Sequence, residues 1–217
     1  GGWTEGALMD YSRQEPLGIV RDQTVSIVGC GGVGNWLALF LVLAGIRELH
    51  LFDEDKVEEH NLNRLCLPSS AVGHEKALAL REHLLALRPD LDARIEAHGH
   101  YIPGLIEPVR PLDWIVALTD TLETRQSLFG LSRKVGCYYV EGGLDGLRGN
   151  IAGSPATWKT DATLGYAITP SFVGSAVIVA AMIAYHILLQ CSPHYQRFDF
   201  SRRGLGGGFV FSKETEQ

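Results

Sequence analysis

The stretch TVSIVGCGGVGNWLALFLVLAGIRELHLFDEDK, residues 24–56, decides the fold. Residues 24–28 form a short run of mostly β-branched residues, which predicts a buried strand. The glycines of residues 29–34 follow at once and pass into the apolar helical pattern of residues 36–44, which Gly45 can terminate. Glycine has no Cβ, so such a turn lets backbone amides approach a phosphate while the positive end of the helix faces it. A second strand is expected at Glu48–Phe52, and Asp53 closes it about 19 residues beyond Gly34, near the spacing at which a carboxylate can hold a ribose.

Working outward, residues 1–23 are mixed and polar, with a short helix near residues 9–17 that Pro16 would disturb. Residues 56–70 lead through Pro68, Ser69 and Ser70, one of the serines serving as a cap, into a helix over residues 73–88. Its apolar positions Ala77, Leu80, Leu84 and Leu87 fall at helical spacing, and Pro89 stops it. Lys76 then lies in the first turn, where the helix dipole favours anions, so a purely structural lysine is out of place there. A strand is predicted at residues 93–97 and a short proline-bounded helix or loop at 102–110. The run WIVAL at 114–118 is a central parallel strand, with Thr119 and Asp120 at its carboxyl edge, the side on which open α/β sheets bind ligands. A helix over 122–135, a strand over 137–140, a glycine-rich turn over 141–153, a helix over 172–189 and strands at 196–200 and 208–211 complete the chain. Residues 154–169 show no clear element. The alternation predicts an α/β, Rossmann-like, doubly wound and mostly parallel sheet with helices on both faces and antiparallel strands toward the C-terminus.

With 217 residues, 46% of them hydrophobic, the chain can bury a substantial single core. A net charge of −6 without a basic stripe argues against a nucleic-acid surface; Arg202 and Arg203 are too small a cluster to change that. Cys30, Cys66, Cys137 and Cys191 are scattered without a C-x-x-C pair, which fits a reducing cytoplasm and gives no disulfide framework or tetracysteine zinc site. No basic n-region or apolar h-region of a signal peptide is visible. Residues 172–189 lack formal charge and reach the lower limit of a membrane span, but their small residues and internal His186 suit a buried helix.

The glycine turn and Asp53 alone would suit a nicotinamide-dependent dehydrogenase. Asn61, Arg64 and Lys76 instead supply a cluster suited to a triphosphate, and Asp120 suits a magnesium ion, the charge neutralisation that nucleotidyl transfer requires. At YSRQ (11–14), GCGGVG (29–34), DEDKVEEHNLNR (53–64), VGHEK (72–76), TDTLETR (119–125) and TPSFVGS (169–175), the chain resembles the adenylyltransferases of the ubiquitin-activating enzymes and their bacterial MoeB/ThiF/HesA relatives. The resemblance spans residues 11–189. It implies binding of ATP and Mg2+ and activation of the C-terminal carboxylate of a ubiquitin-like or sulfur-carrier protein, or a peptide, as an acyl-adenylate with release of pyrophosphate.

Carried over position by position, the resemblance gives Gly29, Gly31, Gly32 and Gly34 to the nucleotide turn and Asp53 to the ribose. Asn61, Arg64 and Lys76 go to the phosphates, with Asp120 as the magnesium ligand and Asp55 and Arg125 in support. Arg13 would cross a dimer interface to the neighbour's ATP, which implies a homodimer in which residues 1–23 are a dimer-contact arm and 24–217 a single adenylation domain. Many relatives carry two zinc-binding C-x-x-C pairs and a cysteine nucleophile before the TPxxG helix. Both are missing here, so no zinc is expected. Thr157, Thr160 and Thr163 are poor substitutes for a thiol. Cys30 and Cys137 read as packed and inert, Cys66 and Cys191 as the more accessible pair. His98 and His100 have no third partner nearby in sequence and read as surface residues at a strand end. Two other readings stay open: a non-catalytic nucleotide- or partner-binding subunit of an activating complex, and an NAD-dependent oxidoreductase.

Overall fold

A computed structural model of the chain describes residues 10–90, 93–100, 113–155 and 171–200. The expectations for residues 102–110, 156–169 and 208–211 lie outside them. One seven-stranded sheet organises the described residues: β1 (Thr24–Val28), β2 (Glu48–Phe52), β3 (Arg94–His98), β4 (Trp114–Ala117), β5 (Tyr138–Asp145), β6 (Arg148–Ala152) and β7 (Gln196–Asp199). The order is β3-β2-β1-β4-β5-β6-β7. The first five strands run parallel, β6 pairs antiparallel with β5, and β7 pairs antiparallel with β6. The strand order reverses between β1 and β4, and ligands of such sheets bind beyond the carboxyl ends at that reversal.

Among the described residues four helices cover the sheet: α1 (Gly32–Ala44), α2 (Lys76–Leu87), α3 (Leu122–Val135) and α4 (Val173–Leu188). Alternation of side chains along the strands divides the core. Val25, Ile27, Leu49, Leu51, Trp114 and Val116 pack under α1, α2 and α4, while Val28, Phe52, Ile115, Ala117 and Tyr139 pack with Leu128 of α3 on the other face. This is the doubly wound architecture the alternation predicted. α4 spans 16 residues and packs against α1. Among the described residues no helix is long and apolar enough to cross a membrane.

Several local expectations need correction. α2 starts at Lys76, three residues later than expected, because Gly73 sits at φ +89° and residues 73–75 pair back onto Lys56 and Val57. Ser69 does not cap it but opens a separate 3-10 turn, Ser69–Ala71. The glycine-rich segment 141–153, read as a flexible or closely packed turn, is largely the β5–β6 hairpin, and it is closely packed. Cβ atoms added at Gly142 and Gly149 would lie 2.9 Å and 2.6 Å from side-chain carbons of Val179, so glycine lets α4 lie directly on the strands. Near the N-terminus, among the described residues, a 3-10 turn forms at Glu15–Leu17, with Pro16 in its first positions.

Candidate active site

The glycine turn sits at the point of strand reversal. Gly29 adopts φ +106°, and a Cβ there would stand 2.7 Å from the carbonyl carbon of Leu118, so the end of β1 can lie against the end of β4 only as glycine. At Gly34 a Cβ would fall 2.0 Å from the Gly29 carbonyl oxygen, which fixes how tightly the turn folds onto the first turn of α1. Gly31, the N-cap position, makes no side-chain cap, and a Cβ there would meet nothing within 4 Å. The space beside Gly31, at the start of this 13-residue helix and the carboxyl edge of the sheet, is therefore open, and an anion is favoured at such a helix start.

Asp53 braces this turn from the end of β2. One carboxylate oxygen accepts the Cys30 amide at 2.7 Å and the other accepts the Asp55 amide at 2.9 Å. Burial pushes its carboxyl up, while the Asp55 and Cys30 N–H groups and the nearby Lys76 cation pull it back. Lys76, the first residue of α2, has a side chain only 13% exposed and reaches Asp55 Oδ2 at 2.8 Å. Its cation acts on both Asp53 and Cys30.

The basic loop lies over α1. Arg64 donates from Nη1 to the His60 carbonyl at 2.9 Å and to Asn63 Oδ1 at 3.1 Å, and a Cβ on Gly32 would come 3.3 Å from its Cδ. Asn61 is buried and forms a capping box with Glu58, its side-chain oxygen accepting the Glu58 amide at 3.2 Å, so here it shapes the loop. Helix α1 holds the loop through two residues that the sequence reading passed over. Asn35 Oδ1 accepts the Cys66 amide at 2.8 Å, and Trp36 Nε1 donates to the Arg64 carbonyl at 2.9 Å. The available signal was a lone asparagine in an otherwise apolar helical run, and the structure buries it fully.

Asp120 follows β4 and is exposed, and its carboxylate has no hydrogen-bond or ion-pair partner among the described residues. Arg125 supports that strand end from below. Its Nε donates to the Thr119 carbonyl at 2.6 Å, Nη2 donates to the Gly142 carbonyl at 3.1 Å, and Nη1 lies 3.6 Å from Glu141, whose carboxylate also accepts the Tyr139 hydroxyl at 2.7 Å. Burial, with the adjacent Glu141 charge, pushes the Tyr139 phenol far above its ordinary value.

The glycines, Asp53, Asp55, Asn61, Arg64, Lys76 and Asp120 thus gather around the ends of β1, β2 and β4. Arg13 does not. Tyr11 is lodged against Gly45 at the far end of α1, where a Cβ would be 2.5 Å from its ring, and Arg21 lies over the same ring at 4.3 Å. The helix between is about 20 Å long at 1.5 Å per residue. Among the cysteines, Cys30 is fully buried, with its thiol pushed well up by desolvation. Cys66 is half-buried, hydrogen-bonded to Asn35 and pushed up to about 11 by burial, so it is less available than expected. Cys137 is likewise pushed up by burial to about 11, and Cys191 is exposed.

The sequence profile of the ThiF family matches residues 8–163, most of the chain and every part of this site. The chain belongs to the ThiF family. This ThiF-family chain is 31% identical to ubiquitin-like modifier-activating enzyme 5 of Branchiostoma floridae over 71% of its own length and 40% of that protein's. The Gallus gallus enzyme of the same name is also 31% identical, over 64% of this chain and 36% of the relative. The chain therefore spans about two fifths of the curated relatives it matches. Its fold is shared with E. coli MccB solved with AMPCPP and MccA, at a TM-score of 0.69 and 19% identity over 88% of this chain and 66% of that one. PaaA aligns at a TM-score of 0.66 and 20% identity over 88% and 65%.

Proposed function

We propose that the chain catalyses ATP-dependent adenylation of the C-terminal carboxylate of a ubiquitin-like or sulfur-carrier protein, or of a peptide, and releases pyrophosphate. The observation that carries this reading is what borders the glycine turn at the strand reversal: the Lys76 cation acts on Cys30 and Asp53, the Arg64 side chain lies beside Gly32, and Asp120 follows the end of β4 that abuts Gly29. A dehydrogenase has no need of two cations and a hard oxygen ligand around its pyrophosphate, so the oxidoreductase alternative is the weaker one. In the proposed reaction a carboxylate oxygen bonds to the α-phosphorus, and the bridging bond to the β-phosphate breaks, its electron pair leaving with pyrophosphate. Arg64 and Lys76 neutralise the charge that develops, and the α1 amides hold phosphate oxygens. Asp53 accepts hydrogen bonds from the ribose hydroxyls.

Asp120 suits Mg2+, since an exposed carboxylate with no other partner among the described residues is the kind of hard oxygen ligand, one or two of which this ion takes beside water and phosphate. When bound, the ion supplies charge neutralisation at the polyphosphate. The placement of Tyr11 supports a homodimer with residues 1–23 as its contact arm, because Arg13 starts from the wrong end of α1 to reach its own turn. In this reading Arg13 of a second copy completes each site, residues 24–217 work as one adenylation domain, and the enzyme acts in the cytoplasm without a membrane or nucleic-acid partner.

ATP–pyrophosphate exchange with candidate carriers tests the proposal. Asp120→Ala should lower exchange by about 100- to 1000-fold, and its melting temperature should stay at the wild-type value, since the residue is exposed. Arg13→Ala should be similarly inactive, and mixing it with Asp120→Ala should restore part of the activity through hybrid dimers carrying one intact site. Exchange absent with every carrier, or unchanged in Asp120→Ala, would sink the enzymatic reading.

A further inference from the structure

His50 of β2 and Glu96 and His98 of β3 come from separate stretches of the sequence, yet strand pairing brings them together. β2 and β3 run in register, with His50 beside Glu96 and Phe52 beside His98, so the three side chains rise from one face of the two strands. Their ligating atoms all lie within 4.8 Å of one another. His50 Nδ1 is 3.4 Å from Glu96 Oε2, and His98 Nε2 is 3.8 Å from the same oxygen. Ligand atoms around a tetrahedral Zn2+ with bonds of ~2.1 Å stand about 3.4 Å apart, so the cluster needs side-chain shifts of no more than about an ångström.

We propose that His50 Nδ1, His98 Nε2 and Glu96 Oε2 form a Zn2+ site on the β2–β3 side of the sheet, with a fourth position left for water or another ligand. The atoms around the cluster are arranged as a metal site requires. His50 presents Nδ1 to the cluster while its Nε2 meets Glu48 Oε1 at 3.2 Å, a carboxylate placed to orient the ring from outside. Glu96 gives its other oxygen to Arg94, whose Nε donates at 2.9 Å, and this leaves Oε2 turned toward the imidazoles. His98 is stacked on Phe52, with centroids 4.5 Å apart, so its orientation is set. Its Nε2 is buried and has no hydrogen-bond partner among the described residues, a state that coordination would relieve.

Protonation states agree. Burial and the neighbouring His50 hold the His98 imidazole below its usual range, so it stays neutral at physiological pH, and the Arg94 side chain holds Glu96 low and ionised. The expectation of no zinc rested on missing C-x-x-C pairs and concerns a different ligand set. The site is independent of the adenylation chemistry, although the His98 carbonyl accepts the Asp53 amide at 3.2 Å, so an ion here would stiffen the strand end that carries Asp53.

The test is calorimetric titration of Zn2+ into the chelator-stripped chain, with Co2+ absorption as the spectroscopic probe. One equivalent should bind, the melting temperature should rise with Zn2+, and the Co2+ spectrum should show nitrogen and oxygen ligation without a sulfur charge-transfer band. His98→Ala and Glu96→Gln should each weaken binding at least about a hundredfold, and Glu48→Gln, outside the ligand set, by about 10- to 100-fold. Measuring the metal-free melting temperature of each variant separates lost ligation from lost folding. Failure of the wild type to bind Zn2+, unchanged affinity in His98→Ala, or a thiolate band with Co2+ would overturn the proposal.

Discussion

A methyl group added at Gly34 is expected to force the nucleotide turn open, because it would stand 2.0 Å from the Gly29 carbonyl oxygen, which belongs to backbone and cannot swing aside. Overpacking of this kind costs about 1–3 kcal/mol of stability. A displacement of about an ångström in a substrate-positioning element can lower turnover about 100-fold. Gly34→Ala should therefore melt earlier than wild type and lose both ATP-analogue binding and pyrophosphate exchange. Gly31→Ala is the matched comparison. Its φ of −72° suits an L-residue and its Cβ would meet no atom within 4 Å, so folding should be unharmed. The space it would fill is the space assigned to phosphate, and analogue binding should fall all the same. Thermal melts beside fluorescence titration with an ATP analogue distinguish the two variants. Gly31→Ala binding as wild type would remove phosphate from that space.

Arg125→Met should be the most destabilising single change at the β4–β5 edge. It removes the cation facing the fully buried Glu141 at 3.6 Å and the donors to the Thr119 and Gly142 carbonyls. Breaking one half of a buried ion pair costs about 3–5 kcal/mol, which urea unfolding with an unchanged m-value would register as a lower midpoint. Adding Glu141→Gln to the variant should recover part of the loss, because the buried charge goes with it. A loss below 1 kcal/mol would show that the pair is replaceable by solvent. Exchange activity should fall as well, since Thr119 leads directly into Asp120.

Much of this was readable from local sequence. β1, β2 and α3 have the bounds the sequence predicts, because apolar runs there are cut by glycine or by a polar turn that acts through its own backbone; Gly45 and Gly136, at φ +90° and +79°, end α1 and α3 as left-handed caps. Tertiary pairing produced the departures. Nothing in residues 73–75 announces that they will pair with Lys56 and Val57, and Gly142 and Gly149 look like turn formers until α4 is seen resting on them. The glycines and charged residues of the site were legible because each stands in a short contiguous motif at the end of a strand. The bonds from Asn35 to Cys66 and from Trp36 to Arg64 were not, since they span 31 and 28 residues. The His50–Glu96–His98 cluster depends on the register of two parallel strands, which no run of either strand discloses.

Helix α1 begins in the glycine turn, fixes the arginine loop about one helical turn later through Asn35 and Trp36, and ends where Tyr11 is seated. The pieces usually treated as separate modules are therefore mounted on one rod. An engineer who moves the 53–64 loop into another nucleotide-binding scaffold must bring Asn35 and Trp36 with it, and a designer who re-registers the helix by a single residue would turn the anchor away from the loop and the arm's seat away from Tyr11 in the same stroke.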